Sequence, residues 1–114
     1  MDTRLPLKPD IFEILLAVSD APRHGYAILK RLEDRGIRLP ASLLYRKLKR
    51  LMDDGLVREW NGRAPDESSD SRRRYYRLTP AGQALTRAEA ERIVELAESG
   101  RVRALAQRTR GGHV

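Results

Sequence analysis

PASLLYRKLKRLMDDGLVREW, residues 40–60, places the chain's most apolar surface and some of its most basic surface in one helical stretch. On an ideal helix Leu44, Leu48 and Leu51 follow the i, i+4, i+7 spacing of a buried stripe, while Ser42, Arg46, Lys49 and Asp53 fall on the opposite side. Tyr45 and Arg50 flank that polar side. Gly55 supplies a helix stop, after which Leu56, Arg58 and Trp60 alternate with Val57 and Glu59 as in a half-buried strand. Solvated helix faces are often rich in Lys and Arg for no further reason, so the meaning of the basic side depends on the rest of the chain.

Residues 9–19, PDIFEILLAVS, begin with Pro9 at a first-turn position and Asp10 near the positive helix end, followed by apolar residues at 11, 12, 15, 16 and 18. This predicts a first, largely buried helix. Asp20 to Pro22 reads as a turn, and Tyr26, Ile28, Leu29 and Leu32 suit a second helix ending at Gly36, with Tyr26 expected in the core between the two. Pro40 stands just ahead of the third helix, so brief links join three helices, as a helix-turn-helix core requires.

Beyond the strand at 56–60, residues 61–74 (NGRAPDESSDSRRR) are polar throughout, and YYRL at 75–78 is rich in strand formers, which predicts a hairpin with a long tip. Thr79 followed by Pro80 is a strong helix start. The stretch after it predicts the longest helix, with Leu85, Ile93, Val94 and Leu96 among its apolar positions. Gly100 is a candidate end, and residues 101–108 a candidate second helical piece with Val102, Leu105 and Ala106 on one side. The last residues, 110–114, read as a flexible tail.

A chain of 114 residues suits one domain rather than two, and 40% apolar against 34% charged residues leaves a lean core, so a long helix needs a partner. The formal charge of +7 favours a polyanion, with nucleic acid ahead of an anionic membrane. Without cysteine there are no disulfides, thiolate zinc sites or cysteine nucleophiles. The apolar run IFEILLAV is short and broken by Glu13, unlike an export signal or a membrane span, so the default expectation is a soluble cytoplasmic protein.

Several motifs in order sharpen this reading: FEILLAV in the first helix, APRHGYAILKRLE in the second, LLYRKLKRLMDDGLV in the third and RRRYYRLTPAG leaving the hairpin. Together they run from about residue 7 to 90 and resemble the PadR family of bacterial transcription regulators. The resemblance implies a mainly α fold with a small β-hairpin, namely a winged helix-turn-helix DNA-binding domain over residues 1–79 and a C-terminal helical dimerisation region over 80–109. It also implies a homodimer, pairing through Leu85, Ile93, Val94 and Leu96, with each recognition helix and wing on half of an inverted-repeat operator. Relatives commonly carry a Gly-Thr or Gly-Ser pair where this chain has Ser42 and Leu43, so Leu43 is expected to touch a thymine methyl or the sugar backbone.

A helix that enters the major groove must bury one side and offer donors on the other, which is what residues 41–54 supply. Ser42, Arg46 and Lys49 are expected at base edges and nearby phosphates, Tyr45 at a phosphate, and Lys47 and Arg50 toward the backbone. Arg72, Arg73 and Arg74 are expected at phosphate or the minor groove, with Asp66, Glu67 and Asp70 left in solvent. His24 reads as structural, and Gly25 as permitting close helix packing.

An enzyme is the weakest alternative, because only His24 and His113 are available, no metal-ligand spacing exists and no glycine-rich phosphate loop follows a strand. No cofactor is expected. An RNA binder would want more stacking aromatics than one Phe, one Trp and four Tyr. A winged-helix protein-interaction module stays open, as does a small-molecule effector.

Overall fold

The computed structural model describes residues 4–60 and 74–111, with side chains placed as far as residue 108. Its elements are α1 (Pro9–Ala17), β1 (Arg23–His24), α2 (Gly25–Asp34), α3 (Ala41–Asp53), β2 (Val57–Trp60), β3 (Tyr75–Leu78), α4 (Pro80–Glu98) and α5 (Gly100–Gly111). The first three helices close on one core built from Ile14, Leu15, Ile28, Leu32, Leu44, Leu48 and Leu51. Each such aliphatic side chain contributes about 1.5–3 kcal/mol when fully buried, so the α3 stripe alone fixes which side of that helix faces out.

Two left-handed glycines end α2 and α3. At Gly36 (φ 81°) the chain turns so that the Ile37 N–H donates to the Leu32 carbonyl at 2.8 Å. At Gly55 (φ 76°) the Leu56 N–H donates to the Leu51 carbonyl at 2.9 Å in the same way. The second turn delivers the chain straight into β2, which pairs antiparallel with β3, Val57 opposite Leu78 and Trp60 opposite Tyr75.

The sheet has three strands in the order β1-β3-β2, not the two expected. Arg23 and His24, at the entry to the second helix and not expected in a strand, pair with Tyr76 and Tyr75. The alternation expected over residues 56–60 is also corrected: Leu56 and Val57 are both buried, Arg58 and Glu59 both exposed. Leu56 belongs to the turn before the strand, and half-buried Trp60 is covered by the Arg77 guanidinium 4.8 Å from its ring centre.

Tyr26 is not a core residue but 68% exposed. The inward stripe of α2 is Gly25, Ile28 and Leu32, and Tyr26 points away from it. His24 holds that start in place: its Nδ1 accepts the Ala27 N–H at 3.2 Å as a helix cap.

Thr79 Oγ1 accepts the Gly82 N–H at 2.9 Å and donates to the Gly55 carbonyl at 2.6 Å, so one hydroxyl caps α4 and ties it to the turn after α3. Thr79→Ala is expected to cost about 1–2 kcal/mol, read as a lower midpoint in urea unfolding with an unchanged slope.

α4 and α5 are separate helices, because Ser99 takes an extended conformation (ψ 145°) and its hydroxyl accepts the Val102 N–H at 3.4 Å. α5 continues to Gly111, beyond the point where the tail was expected to begin, and residues 112–114 lie outside the described residues. The radius of gyration of 16.7 Å exceeds the ~13 Å usual for a chain of about 100 residues, and the long axis reaches 54 Å. The outer half of α4 and α5 account for this, as almost every side chain described over residues 91–108 is exposed.

Candidate nucleic-acid interface

α3 sorts its side chains as its sequence requires. Leu44, Leu48 and Leu51 are buried, and Ser42, Tyr45, Arg46, Lys49 and Arg50 are exposed on the outward side. Leu43 is half-buried beside them in the first turn.

The cations of this face are not equivalent. Arg50 lies 3.6 Å from Asp54 one turn on, and Arg74, at the start of β3, lies 3.5 Å from Glu59. Lys47 is removed from the face altogether: it is partly buried and its Nζ sits 2.8 Å from Asp10 of α1, so the expected backbone contact at Lys47 is replaced by an internal ion pair. The hydrogen bond from Lys47 holds the Asp10 carboxyl below its ordinary range. Arg46 and Lys49 make no ion pair among the described residues, which leaves their charges available to an external anion. Arg72 and Arg73 lie outside the described residues.

A cleft of about 800 Å³ opens beside this face, lined by His24, Gly25, Tyr26, Tyr45, Lys49 and Arg74, with Met52 and Tyr76 also contributing. Burial pushes the Tyr76 phenol above its ordinary value; the Tyr45 hydroxyl adds to this and Arg74 opposes it. Gly25 is what lets Tyr45 lie there, since a Cβ at Gly25 would collide with the Tyr45 ring, 2.8 Å from Cζ and 2.9 Å from Cε1. The glycine's close packing is therefore against a single ring of α3, a detail that the HGY spacing alone does not reveal.

The residues expected at a dimer contact divide. Ile93, Val94 and Leu96 are exposed, joined by Val102 and Leu105 of α5, whereas Leu85 is taken up by the chain's own core and is not on that surface. On the inward side of α4 the core ends at Glu89, a buried carboxylate that sequence patterning missed. It accepts from Arg92 at 2.6 and 3.0 Å and from the Leu7 N–H at 3.3 Å. The Arg92 hydrogen bonds hold Glu89 below its ordinary value.

A carboxylate with a lowered folded pKa stabilises the fold above the unfolded value, about 4.3, and that contribution disappears as pH falls through the folded value. Glu89→Gln is thus expected to lower the thermal midpoint at pH 7 and to flatten its decline below pH 5, measured by circular dichroism melts from pH 3 to 8.

Among the described residues no group of acidic or histidine side chains is arranged to hold a metal ion, and no helix is long and apolar enough to cross a membrane.

A family model for the transcriptional regulator PadR-like family matches residues 14–88. A PadR family transcriptional regulator from Eggerthella lenta is 30% identical, with 77% of this chain and 74% of that chain covered and a TM-score of 0.59. PadR of Bacillus subtilis, solved in complex with operator DNA, has a TM-score of 0.58 over 71% of this chain and 46% of that one; at 19% identity this likeness is one of fold alone. In sequence, a 37.1 kDa transposon protein of Streptomyces fradiae is 42% identical over 90 residues, 78% of this chain. The chain spans about a quarter of that curated relative's length (24%).

Proposed function

This chain belongs to the transcriptional regulator PadR-like family, and from that premise we propose that it is a sequence-specific double-stranded DNA-binding repressor acting as a homodimer on an inverted-repeat operator. The observation that carries the reading is the division of α3: three buried leucines on one side, and on the other Ser42, Arg46 and Lys49 exposed, with the two cations in no ion pair among the described residues. Such a helix fits a major groove about 12 Å wide, where arginine and lysine donate to guanine and to phosphate.

Residues 1–79 form the DNA-binding part in this reading and residues 80–109 the dimerisation region. Ile93, Val94, Leu96, Val102 and Leu105 give the two helices an apolar surface beyond the chain's own core, which suits a second copy. A compact dimer on an operator blocks polymerase without a further contact surface, hence repression, and the site of action is the cytoplasm. The family regulates transcription, and no catalytic role is assigned.

Footprinting of the DNA upstream of the chain's own gene tests the reading. The expected result is a pair of protected half-sites related by two-fold symmetry, their centres one helical turn (~10 bp) or a multiple apart. No protection at any protein concentration, with the protein folded, would count against it.

A further inference from the structure

We infer that Glu89 is a positioning residue for operator recognition: by pinning the segment before α1 onto α4, it fixes the direction in which α4 leaves the DNA-binding part, and with it the half-site spacing that the dimer accepts. The inference rests on the duplex-DNA and homodimer reading above and adds to it the joint that sets the spacing.

α4 is attached to the body at two points. Its first turn is held by the Thr79 hydroxyl and by the close approach of Gly82 to the Leu56 backbone. Further along, Glu89 is the last buried residue of the helix, and every residue from Ile93 to Glu98 is exposed. A single attachment would fix where α4 begins but not where it points. Two attachments about 10 Å apart, at 1.5 Å per residue from Gly82 to Glu89, fix a direction.

The second attachment is polar, and its contacts extend to the reading helix. Glu89 Oε2 accepts the Leu7 N–H at 3.3 Å, and the two carboxylate oxygens accept from Arg92 at 2.6 and 3.0 Å. Leu5 and Leu7 pack that segment against the core. Just after it, Asp10 of α1 pairs with Lys47 of α3 at 2.8 Å. Lys47 to Asp10 and Leu7 to Glu89 thus join α3 to α4 through the entry to α1. Stability alone does not call for a carboxylate here, because a well-packed apolar side chain commonly replaces a buried ion pair without loss. A satisfied polar network adds a single fixed geometry, which apolar contacts do not impose.

The geometry of α4 amplifies any slack at this joint. A shift of about 1.5 Å at Glu89 swings the far end of the helix, about 24 Å from Gly82, by about 3.4 Å. That is one base-pair step along a duplex, ~3.4 Å. An intact joint holds the two reading helices of a dimer to one separation, and a loosened joint lets it drift by a base pair.

Fluorescence anisotropy tests this with the footprinted operator and with operators carrying one base pair inserted or removed between the half-sites, thermal melts confirming that each variant is folded. The readout is the ratio of affinities, in which any loss of folded protein cancels. Wild type is expected to bind the altered operators about 100-fold more weakly, because the second half-site is no longer reached. Glu89→Gln should lose only about 10-fold, and so should Glu89→Leu, which keeps the position filled without the polar contacts. Asp10→Asn, at the α3 end of the same line, should relax the ratio in the same direction. Ile14→Val, a change in the buried core away from these contacts, should lower the thermal midpoint and keep the wild-type ratio. Glu89 variants with the wild-type ratio, or Ile14→Val relaxed as far as they are, would overturn the inference. A wild type indifferent to spacing would also overturn it and leave the DNA reading standing; a wild type that binds no duplex fails the premise itself.

Discussion

Arg46→Glu combined with Lys49→Glu is expected to abolish specific duplex binding, weakening it by at least about 100-fold, while the thermal midpoint stays within a few degrees of wild type. Both side chains are exposed and neither makes an ion pair among the described residues, so the fold has no stake in their charge. A base-reading arginine contributes about 1–3 kcal/mol, and reversal adds repulsion from phosphate to the lost contact. Lys47→Glu is the informative contrast. It breaks the 2.8 Å pair with Asp10 and leaves two carboxylates facing each other, so it should lower stability more than it alters groove contacts. Anisotropy and melting of the two proteins side by side distinguish an outward charge from an inward one.

The largest effect on folding is expected at Gly82. A Cβ there would collide with the Leu56 carbonyl oxygen, and would lie 2.9 Å from its carbon and 3.2 Å from Cα. These are backbone atoms in the turn between α3 and β2, held in turn by the Thr79 N–H donating to the same Leu56 carbonyl at 3.0 Å. Neither partner is a flexible side-chain end, so relief requires α4 to move off the turn. Gly82→Ala should therefore cost about 3 kcal/mol or more, with a fall in thermal midpoint on the order of 10–20 °C. Gly100→Ala serves as the control, because nothing lies within 4 Å of its added Cβ and the change should be close to neutral.

What the sequence made legible was governed by short-range rules. The α3 stripe follows from helical period, the ends of α2 and α3 from Gly36 and Gly55, and the start of α4 from a threonine cap followed by proline. What it hid depended on distant partners or on phase. β1 is only two residues long and exists because Tyr75 and Tyr76, some fifty positions later, pair with it. Tyr26 faces out because, two positions before Ile28, it falls on the far side of the helix from the Gly25, Ile28 and Leu32 stripe. Lys47 looked outward until Asp10 of another helix was brought to it, and Glu89 became buried because Leu7, 82 positions away, packs there. The spacing of Glu89 and Arg92 at i, i+3 was a visible hint of a pair, but nothing local marked it as buried. Of the site residues, α3 supplied those readable from periodicity, whereas the α2 side of the cleft emerged only from the packing of Gly25 against Tyr45.

Photo-crosslinking tests the outward face of α3 most directly. With p-benzoylphenylalanine replacing Ser42, at the exposed first turn of α3, irradiation with the footprinted duplex should attach the protein to bases inside each protected half-site. The same group replacing Glu91, exposed on α4, should attach to no DNA. Crosslinks from position 91 with none from position 42, in proteins that still bind, would contradict the assignment of α3 as the helix that reads the duplex.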